Sequence, residues 1–194
     1  SDIVVRNDAS NTILAGVNAS SLFSLTGLGA ITQTGAVVAP QLSITTTGPI
    51  TLDRADNNTS TLALNGAGAA FRDVDGFAIG SVGGLSGINA GGQALSLQAG
   101  GDITQTEAIV GAASLTADAG GQILLAHGSN TIDSLGAVSA QGSVRIDDSA
   151  GGLSVTAPIA SATGDITVRS NGDITLASGT SVAATVGDIV FSTE

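Results

Sequence analysis

The sequence has no Cys, Met, Trp, Tyr or Lys, and it has only one His and three Pro among 194 residues. Without Cys there can be no disulfide, no thiolate nucleophile and no cysteine metal site. Without Trp or Tyr, and with only four Phe, the core must be built from Ala, Val, Ile and Leu. These absences exclude many kinds of catalytic and metal site.

Positive charge is also scarce. Five Arg and sixteen acidic residues give a formal net charge of −11, and no run of basic residues occurs. A nucleic acid or an anionic membrane surface requires a basic face, so neither is expected as a partner. No apolar run approaches the roughly 20 residues that span a bilayer, so we expect no membrane insertion.

What the chain does contain favours short strands joined by tight turns. Hydrophobic residues make up 42% of it, mainly small and β-branched types, and there are 28 Gly. Gly and β-branched residues weaken helices, whereas β-branched residues pack well on a pleated surface. An all-β fold is therefore predicted.

A short phrase recurs along the chain: Gly, a small or polar residue, then an apolar-polar-apolar triplet. Its copies are Gly48-Pro49-Ile50-Thr51-Leu52, Gly142-Ser143-Val144-Arg145-Ile146, Gly164-Asp165-Ile166-Thr167-Val168, Gly172-Asp173-Ile174-Thr175-Leu176 and Gly187-Asp188-Ile189-Val190-Phe191. Two variants, Gly29-Ala30-Ile31-Thr32-Gln33-Thr34 and Gly101-Asp102-Ile103-Thr104-Gln105-Thr106, lie 72 residues apart. We expect the Gly residues at corners and the Ile residues in the core.

The spacing of these phrases, near 20 residues, predicts a right-handed parallel β-helix (a β-solenoid) of roughly nine rungs, with three short strands in each rung. An antiparallel sandwich, the rival fold, would not require Gly phrases at this interval. Residues 1–194 are expected to form one β-helix segment. Because the chain opens at Ser1 and neither end reads as a cap, we expect a fragment of a much longer surface protein, whose adjacent β-helix segments would be partners.

The longer repeat also carries polar residues. Gln33 and Gln105 lie between Thr residues and should face inward, and we hypothesise that each amide is hydrogen-bonded at a corner. An Asn-Thr turn follows in both copies, and the sequence aligns Asn58 with Asn130. A rung from about residue 71 to residue 91 is extra in the second copy.

The Gly-Asp-Ile-Thr phrases, the Ile-Thr-Gln-Thr element and the Asn-Thr turns resemble the repeats of filamentous haemagglutinin-type bacterial adhesins, exoproteins of the two-partner secretion and autotransporter groups. The resemblance extends over nearly the whole chain. It implies a right-handed β-helix, a secreted or outer-surface location, and a structural shaft role in attachment, with host-cell or bacterial receptors or glycans as partners of the parent protein.

Two other functions remain open from the sequence. A polysaccharide-degrading enzyme would need clustered acids, for which Asp73 and Asp75 are candidates, but we interpret them as turn residues and expect no enzyme. A direct binding module would expose an apolar patch, for which Phe71 and Phe77 are candidates, although both also suit the core. The single His127 is expected in an exposed turn. No cofactor is expected, with Ca²⁺ between turn carboxylates as the only alternative.

Overall fold

The computed structural model describes residues 1–193 and consists of strands and turns. No helix in this range has the length and apolar character needed to cross a membrane. In chain order the strands are β1 (Ile3–Asn7), β2 (Asn11–Leu14), β3 (Val17–Asn18), β4 (Leu22–Gly27), β5 (Ala30–Gln33), β6 (Val37–Val38), β7 (Gln41–Thr45), β8 (Ile50–Leu52), β9 (Thr61–Asn65), β10 (Ala69–Asp73), β11 (Phe77–Ile79), β12 (Ser81–Val82), β13 (Leu85–Ser86), β14 (Ile88–Ala99), β15 (Ile103–Gln105), β16 (Ile109–Ala119), β17 (Ile123–Leu125), β18 (Ser134–Ala140), β19 (Val144–Asp148), β20 (Leu153–Val155), β21 (Ile159–Ser161), β22 (Ile166–Ser170), β23 (Ile174–Leu176), β24 (Val182–Ala184) and β25 (Ile189–Thr193).

The strands stack in parallel, as the sequence predicts, and form a β-solenoid. One stack, which we call face A, contains β1, β4, β7, β9, β11, β15, β17, β19, β22 and β25. Each strand pairs in parallel with the equivalent strand of the next layer, 17 to 26 residues further along the chain. The antiparallel sandwich is therefore excluded.

A second stack, face B, runs beside face A. It contains β2, β5, β8 and β10, and continues through the second half of β14, β16 and β18. Beyond β18 the stack divides, because β20 pairs with its first residues and β21 with its last. The short strands β3 and β6 close the third side of the first layers.

The interior is a continuous aliphatic column. Inward residues such as Ile50, Leu62 and Ile103 are at most 1% exposed, and each stacks on an apolar residue of a neighbouring layer. Burial of this kind contributes about 25 cal/mol per Å² of apolar surface. No single layer buries enough to fold alone, so the column stabilises the layers jointly.

Face A has ten layers, compared with the roughly nine expected from the sequence. The additional layer arises because the step from Leu62 to Ile79 uses only 17 residues. At about 4.8 Å between layers, ten layers make a rod about 45 Å long.

The two Ile-Thr-Gln-Thr copies lie on different faces. Ile31 stacks under Ile50 in face B, whereas Ile103 stacks under Ile123 in face A. The change occurs at β9, which is continued in the next layer by two strands, β11 and the start of β14. The sequence repeat therefore advances by one face between its copies, a shift that periodicity alone does not indicate.

A hairpin of β12 and β13 leaves the solenoid between those two strands. Its turn residues Gly83 and Gly84 both have positive φ, 59° and 87°, as a two-residue Gly-Gly hairpin turn requires. The hairpin folds back on the outside of face A, where Val82 is buried to 1% exposure. The small outward residues Ser43 and Ala63 of face A leave room for it.

Candidate functional site: the buried amide and carboxylate clusters

A reciprocal pair of amides lies inside the solenoid wall in the first repeat. Gln33, at the end of β5, donates from Nε2 to Asn57 Oδ1 at 2.7 Å, and Asn57 donates from Nδ2 to Gln33 Oε1 at 2.9 Å. Asn57 is fully buried. The hydrogen-bonding hypothesis for Gln33 is therefore confirmed, and its partner is an Asn from the next layer.

Asn57 also satisfies backbone groups of three neighbouring segments. Its Oδ1 accepts from the Val37 amide at 2.8 Å, and its Nδ2 lies 3.1 Å from the Leu52 carbonyl and 3.0 Å from the Arg72 carbonyl. These carbonyls and this amide lie where the strand pairing of face B ends. One side chain thus joins successive layers at a corner.

The second repeat contains the same cluster. Gln105 and Asn130 form a reciprocal pair with both distances 2.9 Å, and Asn130 is fully buried. The Asn130 amide contacts the Ile109 nitrogen and the carbonyls of Leu125 and Asp147, in the places that Val37, Leu52 and Arg72 occupy around Asn57. The structure therefore aligns Asn57 with Asn130. The sequence alignment of Asn58 with Asn130 is wrong by one residue, since Asn58 is exposed.

His127 belongs to this second cluster through its main chain. Its backbone nitrogen donates to Gln105 Oε1 at 3.2 Å, as the Arg54 nitrogen does to Gln33 Oε1 at 3.3 Å. The ring Nδ1 accepts from the Ser129 amide at 3.2 Å, so the side chain stabilises the turn. His127 is in a turn as expected, but it is half-buried and not exposed.

A buried carboxylate lies beside each amide pair. Asp73 is 2% exposed, and its Oδ2 accepts from the Thr59 amide at 2.8 Å while Oδ1 accepts from the Asp75 amide at 3.2 Å. Burial, with the neighbouring Asp75 carboxyl, raises the pKa of Asp73 to about 7. The Asp75 side chain lies on the outside, 3.5 Å from the Asn58 amide.

Asp148 occupies the equivalent place in the second repeat. Its Oδ1 accepts from the Ile132 and Ala150 amides, both at 3.0 Å, and its Oδ2 accepts from the Ser170 hydroxyl at 3.1 Å. The Asp73 arrangement therefore occurs twice, and in each copy the carboxylate oxygens are engaged by backbone amides. Asp73 and Asp148 act in this geometry as corner supports. Among residues 1–193, no group of three or more His, Asp or Glu is placed to hold a metal ion.

Shallow depressions lie outside the two buried carboxylates. One, of about 270 Å³, is lined by Arg72, Asp73 and Gln98, and the other, of about 250 Å³, is lined by Asp148 and Arg169 among others. The two depressions are equivalent in the repeat. Their floors are the carboxylates that support the corners, so their shape follows from the solenoid wall.

Phe71 and Phe77 lie in the interior and not on the surface. They are 1% and 3% exposed, and their rings meet edge to face with centroids 5.0 Å apart. The structure thus supports the core interpretation over the exposed patch. They fill the interior of the layers at which the repeat changes face.

The Gly residues of the recurring phrase lie at corners where successive layers approach closely. A Cβ on Gly48 would lie 2.3 Å from the Gly29 carbonyl carbon, and one on Gly164 would lie 2.6 Å from the Ser143 nitrogen. The next residue in the phrase caps the following layer: Asp102 Oδ1 accepts from the Gln122 amide and Asp165 Oδ1 accepts from the Asp188 amide, both at 2.9 Å. These acids have the turn role expected of them.

The last layers follow the same pattern with less burial. Gly172 and Gly187 lie at corners against carbonyls of the preceding layer, Ile174 stacks on Leu153, and Ile189 stacks on Ile166. Ile189 remains 44% exposed, because no layer within the described residues covers it.

Asn57, Asn130 and Asp148 were not identified as site residues from the sequence. The signal that could have found them is an Asn that lies 24 or 25 residues after each Gln of the Ile-Thr-Gln-Thr element. Comparison with known proteins gave no significant match to a curated protein or to a solved structure. Residues 1–65, which include Gln33 and Asn57, match the model of a family described as repeats of unknown function (DUF5649), and this part of the chain is similar to that family.

Proposed function

We propose that this chain is a structural shaft segment of a secreted or cell-surface bacterial adhesin, and that it acts in attachment by holding binding regions away from the cell. The observation that carries the proposal is the continuous parallel stack of face A from β1 to β25 around one apolar column. Such a stack suits a stiff spacer, because each layer is hydrogen-bonded to the layers on both sides. The resemblance to filamentous haemagglutinin-type repeats supports the same role.

The buried polar clusters fit a load-bearing wall. A parallel stack of similar strands can slip in register, because each aliphatic residue finds an aliphatic partner at the neighbouring position. The Gln33–Asn57 and Gln105–Asn130 pairs are satisfied only in the native alignment of layers. We infer that they keep the layers in register when the rod is pulled or bent.

The proposal is tested in the parent protein on intact bacteria with three forms of the segment. These are the unchanged segment, a deletion of all ten layers, and a replacement by an unrelated β-solenoid of ten layers with different outward residues. A shaft predicts that the replacement keeps attachment to target cells and that the deletion reduces it. Beads coated with the purified segment should bind target cells no better than uncoated beads.

Two results would overturn the proposal. If the replacement loses attachment as fully as the deletion does, the outward residues of this segment bind the target and it is not a passive spacer. If antibodies against the segment reach it only after the cells are permeabilised, the surface location is wrong.

A further inference from the structure

The chain contains two Asn-Gly pairs, Asn65-Gly66 and Asn171-Gly172. An Asn followed by Gly is the dipeptide most prone to attack of the backbone nitrogen on its own side chain, because Gly offers no Cβ to hinder the approach. The reaction requires a free Gly nitrogen and a backbone that can rotate at the Asn. The two pairs differ in both respects.

Asn65 is held in the solenoid. It is the last residue of β9, where it is half-buried and pairs with Thr45 on one side and Asn89 on the other. The Gly66 nitrogen donates to the Asn89 carbonyl at 3.1 Å. The nitrogen that would attack is therefore engaged, and the strand pairing fixes the Asn65 backbone.

Asn171 lies at an exposed corner between β22 and β23, outside any strand. Its own nitrogen donates to the Asp148 carbonyl at 3.1 Å, but the Gly172 nitrogen has no acceptor among residues 1–193. The attacking nitrogen is thus free, and the Asn171 side chain is in solvent.

We propose that Asn171 is a site of spontaneous deamidation and backbone isomerisation in the folded protein, and that Asn65 is protected. The Gly172 nitrogen loses its proton to hydroxide and attacks Asn171 Cγ, a C–N bond forms, and the side-chain nitrogen leaves as ammonia. Water then opens the five-membered imide at either carbonyl, which gives Asp or isoaspartate at position 171. No oxidant or cofactor is required.

The modification acts on the stacking of the last layers. Isoaspartate adds one atom to the main chain next to Gly172, where a Cβ would already lie 2.5 Å from the Gly151 carbonyl oxygen. Either product also adds a negative charge beside Asp173. The corner cannot keep its close approach, so β23 to β25 separate more readily from the layers before them.

The test is incubation of the purified protein at pH 8.5 and 37 °C, followed by trypsin digestion and mass spectrometry. Cleavage after Arg54, Arg72 and Arg169 places Asn65 in the peptide of residues 55–72 and Asn171 in that of residues 170–194. Fragmentation locates the new carboxyl, and an isoaspartyl methyltransferase reports the isomer. Because Asn65 must first lose a backbone hydrogen bond, Asn171 should convert roughly fivefold faster or more.

The same incubation in urea is the control. Both peptides should then convert at comparable rates, since the structure no longer distinguishes them. An Asn171→Gln variant should leave the peptide of residues 170–194 unmodified without changing the rate at Asn65. The proposal is overturned if Asn65 converts as fast as Asn171 in the folded protein, or if Asn171 keeps its amide under conditions in which both residues convert in urea.

Discussion

Asn130 repeats the hydrogen bonds of Asn57, although the strands around the two residues lie on different faces of the solenoid. Asn57 is surrounded by β5, β8 and β10 of face B, and Asn130 by β15, β17 and β19 of face A. The cluster therefore belongs to a corner of the sequence repeat and not to a fixed side of the rod. It keeps its geometry when the repeat advances by one face.

Replacement of Gln105 by Leu should destabilise the protein by about 1–3 kcal/mol, because the buried Asn130 amide and the His127 nitrogen would each lose a partner. Urea denaturation followed by circular dichroism measures the change. Gln98→Leu is the matched control: Gln98 is exposed on β14, and its replacement should change stability by no more than about 0.5 kcal/mol. Equal stabilities of the two variants would show that the amide pair contributes nothing.

The sequence predicts this fold well because the fold depends on local, repeated features. Gly48 and Gly164 mark corners, and Ile50 and Ile166 mark core positions, through spacing alone. The change of face at β9 could not be predicted, because it depends on which layer Leu62 and Leu64 each pair with. The Asn57 cluster was missed for a similar reason: its partners are 5 to 24 residues away along the chain, and no local pattern joins them.

Thr59 presents the opposite situation to Gln105. Its hydroxyl is buried with no hydrogen-bond partner among the described residues, and the equivalent residue of the second repeat is Ile132. Thr59→Val should therefore raise the free energy of unfolding by about 1 kcal/mol. Thr131→Val is the control, since its hydroxyl accepts from the Gly111 amide at 2.7 Å and its loss should be destabilising. A Thr59→Val protein less stable than the parent would mean that the hydroxyl is satisfied in solution.

The buried Asp73 should make stability depend on pH in an unusual direction. Its pKa is about 7 in the folded protein, against 3.8 for a free side chain, so the folded state binds the proton more tightly than the unfolded state. Its contribution is then fully present below about pH 4 and is lost as the pH rises through about 7. The total loss is at most about 4 kcal/mol.

Urea denaturation of the parent and of Asp73→Asn between pH 4 and pH 8 tests this dependence. The Asn variant cannot titrate at this position, so its stability should fall less steeply over the range, even if it is less stable at every pH. Parallel curves for the two proteins would show that Asp73 does not titrate there.

The corner glycines should separate into two classes when each is replaced by Ala. At Gly48 a Cβ would lie 2.3 Å from the Gly29 carbonyl carbon and 2.6 Å from the Ala30 nitrogen, and neither backbone atom can move without shifting a whole layer. Overpacking of this kind costs about 1–3 kcal/mol. Gly128 has no atom within 4 Å of its Cβ position and does not have positive φ, so Gly128→Ala should be neutral or stabilising by up to about 1 kcal/mol. Urea denaturation of both variants measures the difference, and a Gly48→Ala protein as stable as Gly128→Ala would mean that the layers are not held at this close spacing.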